Sequence, residues 1–190
     1  MILYLFDFDG TITPKDSMIE YIKVVHNNVF VFLFYNFLFI PFFILYKLKM
    51  LKKQVTKEIY LKIHLRSYRE EFLRKKSIVF SKKIKTNFFS KFKSYNNNAK
   101  GEKCIVSASL DLWMNDIANE LEFKLICTQS NFENNKFIGI NKNCFGNEKV
   151  RRINENYNLN EFKEIYIFGD SEGDRQMFNL GKKHYKFFNN

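Results

Sequence analysis

Cysteine is scarce in this chain. There are three, Cys104, Cys127 and Cys144, among 190 residues, with no close pair and no metal-ligand spacing. This excludes a disulfide framework and a cysteine-built metal site, and it fits a reducing compartment. Cys104 and Cys127 stand in apolar runs and are expected to be buried. Cys144 has no such context. Histidine is equally sparse. His26, His64 and His184 are scattered and without obvious partners, so none is assigned to catalysis. The single tryptophan, Trp113, falls on a helix-like stretch where a core or interface position is expected. No internal repeat is evident. The N-terminus runs straight into a strand-like segment without the basic leader of a signal peptide, so the protein is expected on the cytoplasmic side.

Acidic residues are rare in one segment above all. From Lys47 to Lys93 there are 16 Lys/Arg against 3 Glu, a net +13, while the whole chain carries +11. The entire excess lies there, and a basic face of this kind suits an anionic partner if it is more than a solvated helical surface. Its aromatic residues are not interleaved with bases on a strand platform, which argues against nucleic acid. Apolar residues make up 46% of the chain, with 23 Phe and 10 Tyr. That excludes wholesale disorder, and the length fits one α/β domain with one insertion.

Four short apolar runs read as buried strands: Ile2–Asp7, Lys103–Ser107, Phe123–Thr128 and Lys163–Gly169. Helical patterns follow at Leu110–Glu120 and Gly173–Leu180. Strands alternating with helices predict a Rossmann-like parallel sheet. Phe132–Phe145 has the Asn/Gly chemistry of a hairpin, and His184–Phe188 reads as a last strand. Ser94–Gly101 reads as a loop returning to the sheet. Residues 1–13 and 101–190 are thus expected to form the core, and 14–100 an inserted helical, hydrophobic and basic cap.

Chemistry gathers at the strand ends, where open α/β sheets bind ligands. The first strand ends in Asp7-Phe8-Asp9-Gly10-Thr11, and the fourth in Gly169-Asp170-Ser171-Glu172-Gly173-Asp174. Carboxylates that close repel one another, so a cation is the natural third party, and oxygen-only ligands suit Mg²⁺. Ser107 ends the second strand, where its hydroxyl would donate to a phosphate oxygen. Lys149, at the start of a helix, would neutralise phosphate charge. Singly, each of these is more often a turn, a cap or a solvated side chain. Their order along one chain is what points to a site.

That order resembles the haloacid dehalogenase superfamily of phosphohydrolases, over about residues 1–13 and 101–180. The insertion after the first motif resembles the subgroup of phosphoserine phosphatase, whose cap is helical. The resemblance implies that Asp7 attacks phosphorus and carries an aspartyl-phosphate. It implies that Asp9 protonates the leaving alkoxide and later takes a proton from water. Mg²⁺ would be held by Asp7, the Asp9 carbonyl and Asp170, with Asp174 in support. Ser107 and Lys149 would bind the phosphoryl group, and Thr11 would join them or order the Asp7 loop.

Val29–Tyr46 holds 18 uncharged residues, interrupted by Asn36 and Pro41 and followed at once by Lys47, Lys49, Lys52 and Lys53. The length is at the threshold of a membrane span. A single crossing would put Asp7 and Asp170 on opposite sides, so a monotopic contact at the inner membrane, or a buried cap helix, remains. With its basic helix, the architecture resembles bacterial phosphatidylglycerophosphate phosphatases, which implies an anionic lipid phosphate as substrate. The rival is a soluble enzyme of the phosphoserine type, where Asp16 stands at a position expected to hold Glu.

Overall fold

The computed structural model describes residues 1–189. In chain order its elements are β1 (Ile2–Phe6), α1 (Ser17–His26), α2 (Val29–Lys47), α3 (Lys53–Leu65), α4 (Glu70–Lys85), α5 (Ser90–Asn98), β2 (Glu102–Leu110) and α6 (Asp111–Leu121). There follow β3 (Lys124–Thr128), β4 (Ser130–Glu133), β5 (Lys136–Ile140), α7 (Asn147–Asn156), β6 (Glu164–Gly169) and β7 (Lys182–Tyr185). Five strands form one parallel sheet in the order β3-β2-β1-β6-β7. It is a Rossmann-like α/β fold, and β1 lies at its centre.

The strands read as continuous apolar runs because both faces of the sheet are covered. Tyr4 and Phe6 of β1 pack into one cluster with Ile105 and Phe168, while Leu3 and Leu5 enter a second with Cys104, Val106 and Ile167. Cys127 and Cys144 are buried as well. The first cluster extends into the inserted helices through Tyr21, Tyr60, Leu73 and Phe80, and it includes Trp113. Trp113 stacks on Tyr21 at 4.9 Å between ring centroids.

Several expectations from the sequence are corrected. Ser94–Gly101 is no loop at its start, because α5 runs to Asn98. Its asparagines have low helix propensity, but Phe92 and Tyr95 anchor the helix on the sheet, 5.7 Å from Phe6 and 5.2 Å from Phe168. Gly173–Leu180 is not one helix but two short 3₁₀ turns, Glu172–Asp174 and Met177–Leu180. Ser171 and Asp174 form a reciprocal capping box that satisfies the first turn locally. The last strand begins at Lys182 rather than His184. It stops at Tyr185, since Lys186 adopts φ 48° and Phe188 folds back onto Phe168 at 5.0 Å. The hairpin is shorter than its predicted span, and it turns at Asn134 and Asn135, both left-handed (φ 48° and 61°) as a two-residue turn requires.

The histidines do have partners. His26 Nε2 lies 2.8 Å from His64 Nδ1, and His26 Nδ1 lies 3.1 Å from the Tyr68 hydroxyl. His184 stacks on Phe168 at 4.8 Å. These contacts join separate elements, so local spacing could not show them.

Candidate active site

The β1–β2 and β1–β6 registers pair Phe6 with Ile105 on one side and Phe168 on the other. Asp7 therefore emerges one residue beyond Phe6, Ser107 two beyond Ile105 and Asp170 two beyond Phe168. All three line one cavity of about 350 Å³, together with Asp9, Asp16, Ser109 and Lys149. Carboxylate oxygens of Asp7, Asp170 and Asp174 lie within 4.8 Å of one another.

Lys149, from the first turn of α7, is buried between two of these acids. Its ammonium donates to Asp7 Oδ1 at 2.6 Å and to Asp174 Oδ1 at 2.7 Å. Burial alone would lower its pKa, but the two carboxylates outweigh burial and hold it charged. Burial pushes the Asp7 carboxyl up, with the Asp174 charge in the same direction and Lys149 opposing. Asp170 is raised too, by burial first and then by Asp174. Three acids against one lysine leave a net negative cluster. Its all-oxygen donor set fits a hard divalent cation such as Mg²⁺.

Asp174 spends both oxygens on the protein. Oδ1 takes Lys149, and Oδ2 accepts from the Ser171 hydroxyl at 3.0 Å and the Ser171 amide at 3.1 Å. It therefore braces the loop that carries Asp170. Thr11 is buried and does not line the cavity. Its hydroxyl donates to Asp170 Oδ1 at 3.5 Å, which ties the turn after β1 to the acidic cluster. Glu172 is exposed and also lies outside the cavity.

Asp9 is held by two serines that the sequence reading did not single out. Oδ1 accepts from the Ser17 amide at 2.9 Å; Oδ2 accepts from the Ser17 hydroxyl at 3.0 Å and the Ser109 hydroxyl at 2.9 Å. Trp113 Nε1 donates to Ser17 Oγ at 3.2 Å and fixes the far end of this network. Burial pushes Asp9 up to about 6, and the charge of Asp16 adds to it, while the serine hydrogen bonds pull the other way. Ser109 repeats at i+2 from Ser107 the spacing of Asp7 and Asp9, and that was the available signal. Ser17 carried none. Ser107 Oγ accepts from the Ser109 amide at 3.1 Å, and its proton remains to be donated. Lys57, also missed, reaches from α3 to the cavity, donating to Ala108 O at 2.5 Å and Asn143 Oδ1 at 2.8 Å. Asp16 caps α1, accepting from the Ile19 amide at 3.0 Å, and stands at the cavity rim.

Gly10 has φ +78°, and a Cβ there would overlap the Asp170 carboxylate. Gly10→Ala is expected to cost about 1–2 kcal/mol for the left-handed backbone alone, with the displaced carboxylate in addition. For the backbone alone the melting temperature should fall by about 2–8 °C, measured by thermal denaturation. An unchanged midpoint would mean that this turn relaxes freely.

Three solved structures show the same fold. A protein of unknown function from Bordetella pertussis Tohama I aligns with TM-score 0.78 at 19% identity, over 95% of this chain and 86% of that one. A phosphoserine phosphohydrolase-like protein from Francisella tularensis aligns with TM-score 0.64 at 16% identity, over 96% and 84%. A phosphoserine phosphatase solved as a phospho-aspartyl intermediate analogue aligns with TM-score 0.61 at 16% identity, over 95% and 84%. No curated protein matches the chain in sequence. The sequence pattern of the haloacid dehalogenase-like hydrolases, however, matches residues 4–179, nearly the whole chain. The chain belongs to the haloacid dehalogenase-like hydrolase family.

Proposed function

We propose that this hydrolase is a Mg²⁺-dependent phosphomonoesterase that works through an aspartyl-phosphate on Asp7. Its substrate is a lipid phosphate at the cytoplasmic face of an anionic inner membrane. Asp7 is the nucleophile: it attacks phosphorus, and the bond to the leaving alkoxide breaks. Asp9 lies two residues away, is held by Ser17 and Ser109, and is raised to about 6, which suits a group that gives and takes a proton near neutrality. It protonates the alkoxide, then takes a proton from the water that hydrolyses the acyl-phosphate. The products are an alcohol and inorganic phosphate. Ser107 and Lys149 face the transferring phosphoryl oxygens. Asp7, the Asp9 carbonyl and Asp170 would hold Mg²⁺, which supplies positive charge against the phosphoryl oxygens.

The lipid assignment is carried by α2. This helix is 19 residues long and apolar enough to cross a membrane, yet none of its residues is buried. It runs through Pro41 without a break. Phe30 is 78% and Phe37 68% exposed. An unburied apolar surface of this kind marks a partner. Lys47, Lys49 and Lys52, all exposed, follow directly and suit anionic headgroups. Asp7 and Asp170 lie on either side of α2 in sequence and meet in one site, so α2 lies in the interface rather than crossing it. An apolar helix followed at once by lysines supports a substrate such as phosphatidylglycerophosphate. The second reading, a soluble phosphoserine-type enzyme, draws on Asp16 at the cavity rim.

A substrate panel separates the two. Phosphatidylglycerophosphate in mixed micelles is expected to exceed phosphoserine in kcat/KM by about tenfold or more. Activity should vanish with chelator, return with Mg²⁺, and return poorly with Ca²⁺, whose larger and looser coordination spoils in-line geometry. Preference for phosphoserine would transfer the assignment to the soluble reading. Full activity in chelator would remove the metal.

A further inference from the structure

The inserted helices α1, α2 and α3 enclose an open groove of about 650 Å³, within the size range of small-molecule sites. Ile19, Ile40 and Phe43 form its apolar walls. Three of the polar side chains that reach it, Asn36, Thr56 and Tyr60, spend hydrogen bonds inside the protein. Asn36 Nδ2 donates to Phe32 O at 2.7 Å, and Asn36 Oδ1 accepts from the Tyr60 hydroxyl at 3.3 Å. The Thr56 hydroxyl donates to Lys52 O at 3.0 Å. Over most of its length the groove therefore offers hydrocarbon contact and little else.

One end is different. Met18, Lys53 and Lys57 line both this groove and the catalytic cavity, so the two spaces adjoin. Lys53 lies over the Phe145 ring at 4.0 Å, and Lys57 is tethered to Ala108 and Asn143. A ligand crossing from groove to cavity passes from apolar walls, past two cations, to the Asp7 carboxylate. That is the polarity sequence of an amphiphile with its phosphate at one end.

We infer that the groove holds the hydrocarbon chain of the substrate while its phosphate lies against Asp7, so that chain length is a specificity determinant. The inference rests on the lipid-phosphate reading above. It goes further, since that reading requires only that α2 touch a membrane. A chain seated along α2 need not be drawn free of the bilayer.

The test uses monoalkyl phosphates from ethyl to decyl, each kept monomeric, with Mg²⁺ and without vesicles or detergent. Full burial of a methylene corresponds to about fourfold in affinity; with one side of the groove open, kcat/KM should rise about twofold per methylene. The gain should appear in KM, because the contact is remote from phosphorus. Ile40→Trp fills the groove while keeping α2 apolar. It should lower the decyl-to-ethyl ratio of kcat/KM by about tenfold, the gain of three or four methylenes. A flat series for wild type, together with turnover of lipid phosphate in anionic vesicles, overturns the groove and leaves the lipid reading standing. A flat series with phosphoserine as the only substrate turned over overturns both. A wild-type ratio in Ile40→Trp places the chain elsewhere. If that variant misfolds, the wild-type series decides alone.

Discussion

Asp7→Asn is expected to lower kcat by about 10⁴-fold or more, the scale of losing a nucleophile. An amide cannot form the acyl-phosphate. The same substitution should not unfold the protein. Asp7 shares the buried Lys149 ammonium with Asp174, and without metal the acids outnumber the cation. Burial raises the Asp7 carboxyl from 3.8 to about 7. A carboxyl that binds its proton more tightly folded than unfolded costs stability as pH rises across that interval. Asn removes this cost and leaves Lys149 balanced by Asp174. Metal-free Asp7→Asn should therefore melt at or above the wild-type temperature at pH 7.5, while wild type alone turns over. Asp9→Asn should behave differently, losing most turnover but retaining phosphate on Asp7 after an acid quench, since attack precedes the water step. Wild-type rates in pure Asp7→Asn protein would sink the mechanism.

Replacing Phe30, Phe34 and Ile44 together with Ser is expected to weaken binding to anionic vesicles by about a hundredfold or more. Each side chain carries about 0.8–1.5 kcal/mol when half of its apolar surface leaves water. These three are 78%, 59% and 51% exposed, and none lines the groove. Folding should therefore be indifferent to them, with a stability change within about 0.5 kcal/mol. The outcome separates a docking helix from a core helix in one measurement, sedimentation with vesicles beside a melting curve. Lys47, Lys49 and Lys52 to Gln should weaken binding mainly at low salt, because surface charge is screened over about 10 Å at 0.1 M. Wild type that fails to sediment, or a triple variant that unfolds, would return α2 to the interior of some larger packing.

The acidic strand ends were legible in the sequence for a local reason. A strand buried on both faces reads as an unbroken apolar run, and the residue after it must lie at the carboxyl edge of the sheet. Asp7 and Asp170 could each be placed there without knowing the sheet order, and Lys149 followed from its helix start. Ser107, expected to end its strand, lies instead within β2, which runs on to Leu110 past a register shift. The supports of Asp9 could not. Ser17 and Ser109 are 92 residues apart and meet at 2.7 Å only when α1 crosses the end of β2. The His26–His64 contact, 38 residues apart, hid for the same reason. Turn and helix chemistry misled wherever packing outweighed it: asparagine-rich α5 forms because its aromatics anchor it, and the Asp174 loop tightens because Ser171 caps it.

The run Val29–Tyr46 marks the boundary between the two kinds of information. Its composition was enough to show an uncharged helix-length segment next to a lysine cluster. A helix apolar on every side has no periodicity, however, and periodicity is what distinguishes a buried face from an exposed one. Whether the other helices cover such a segment depends on where α1, α3 and α4 pack. The sequence alone located the acidic strand ends and the family that carries them, because those follow from short-range order along the chain. Only the tertiary structure decided that no residue of α2 is fully buried and that its groove adjoins the cavity of Asp7. Both are properties of surfaces that meet, or fail to meet, across the fold.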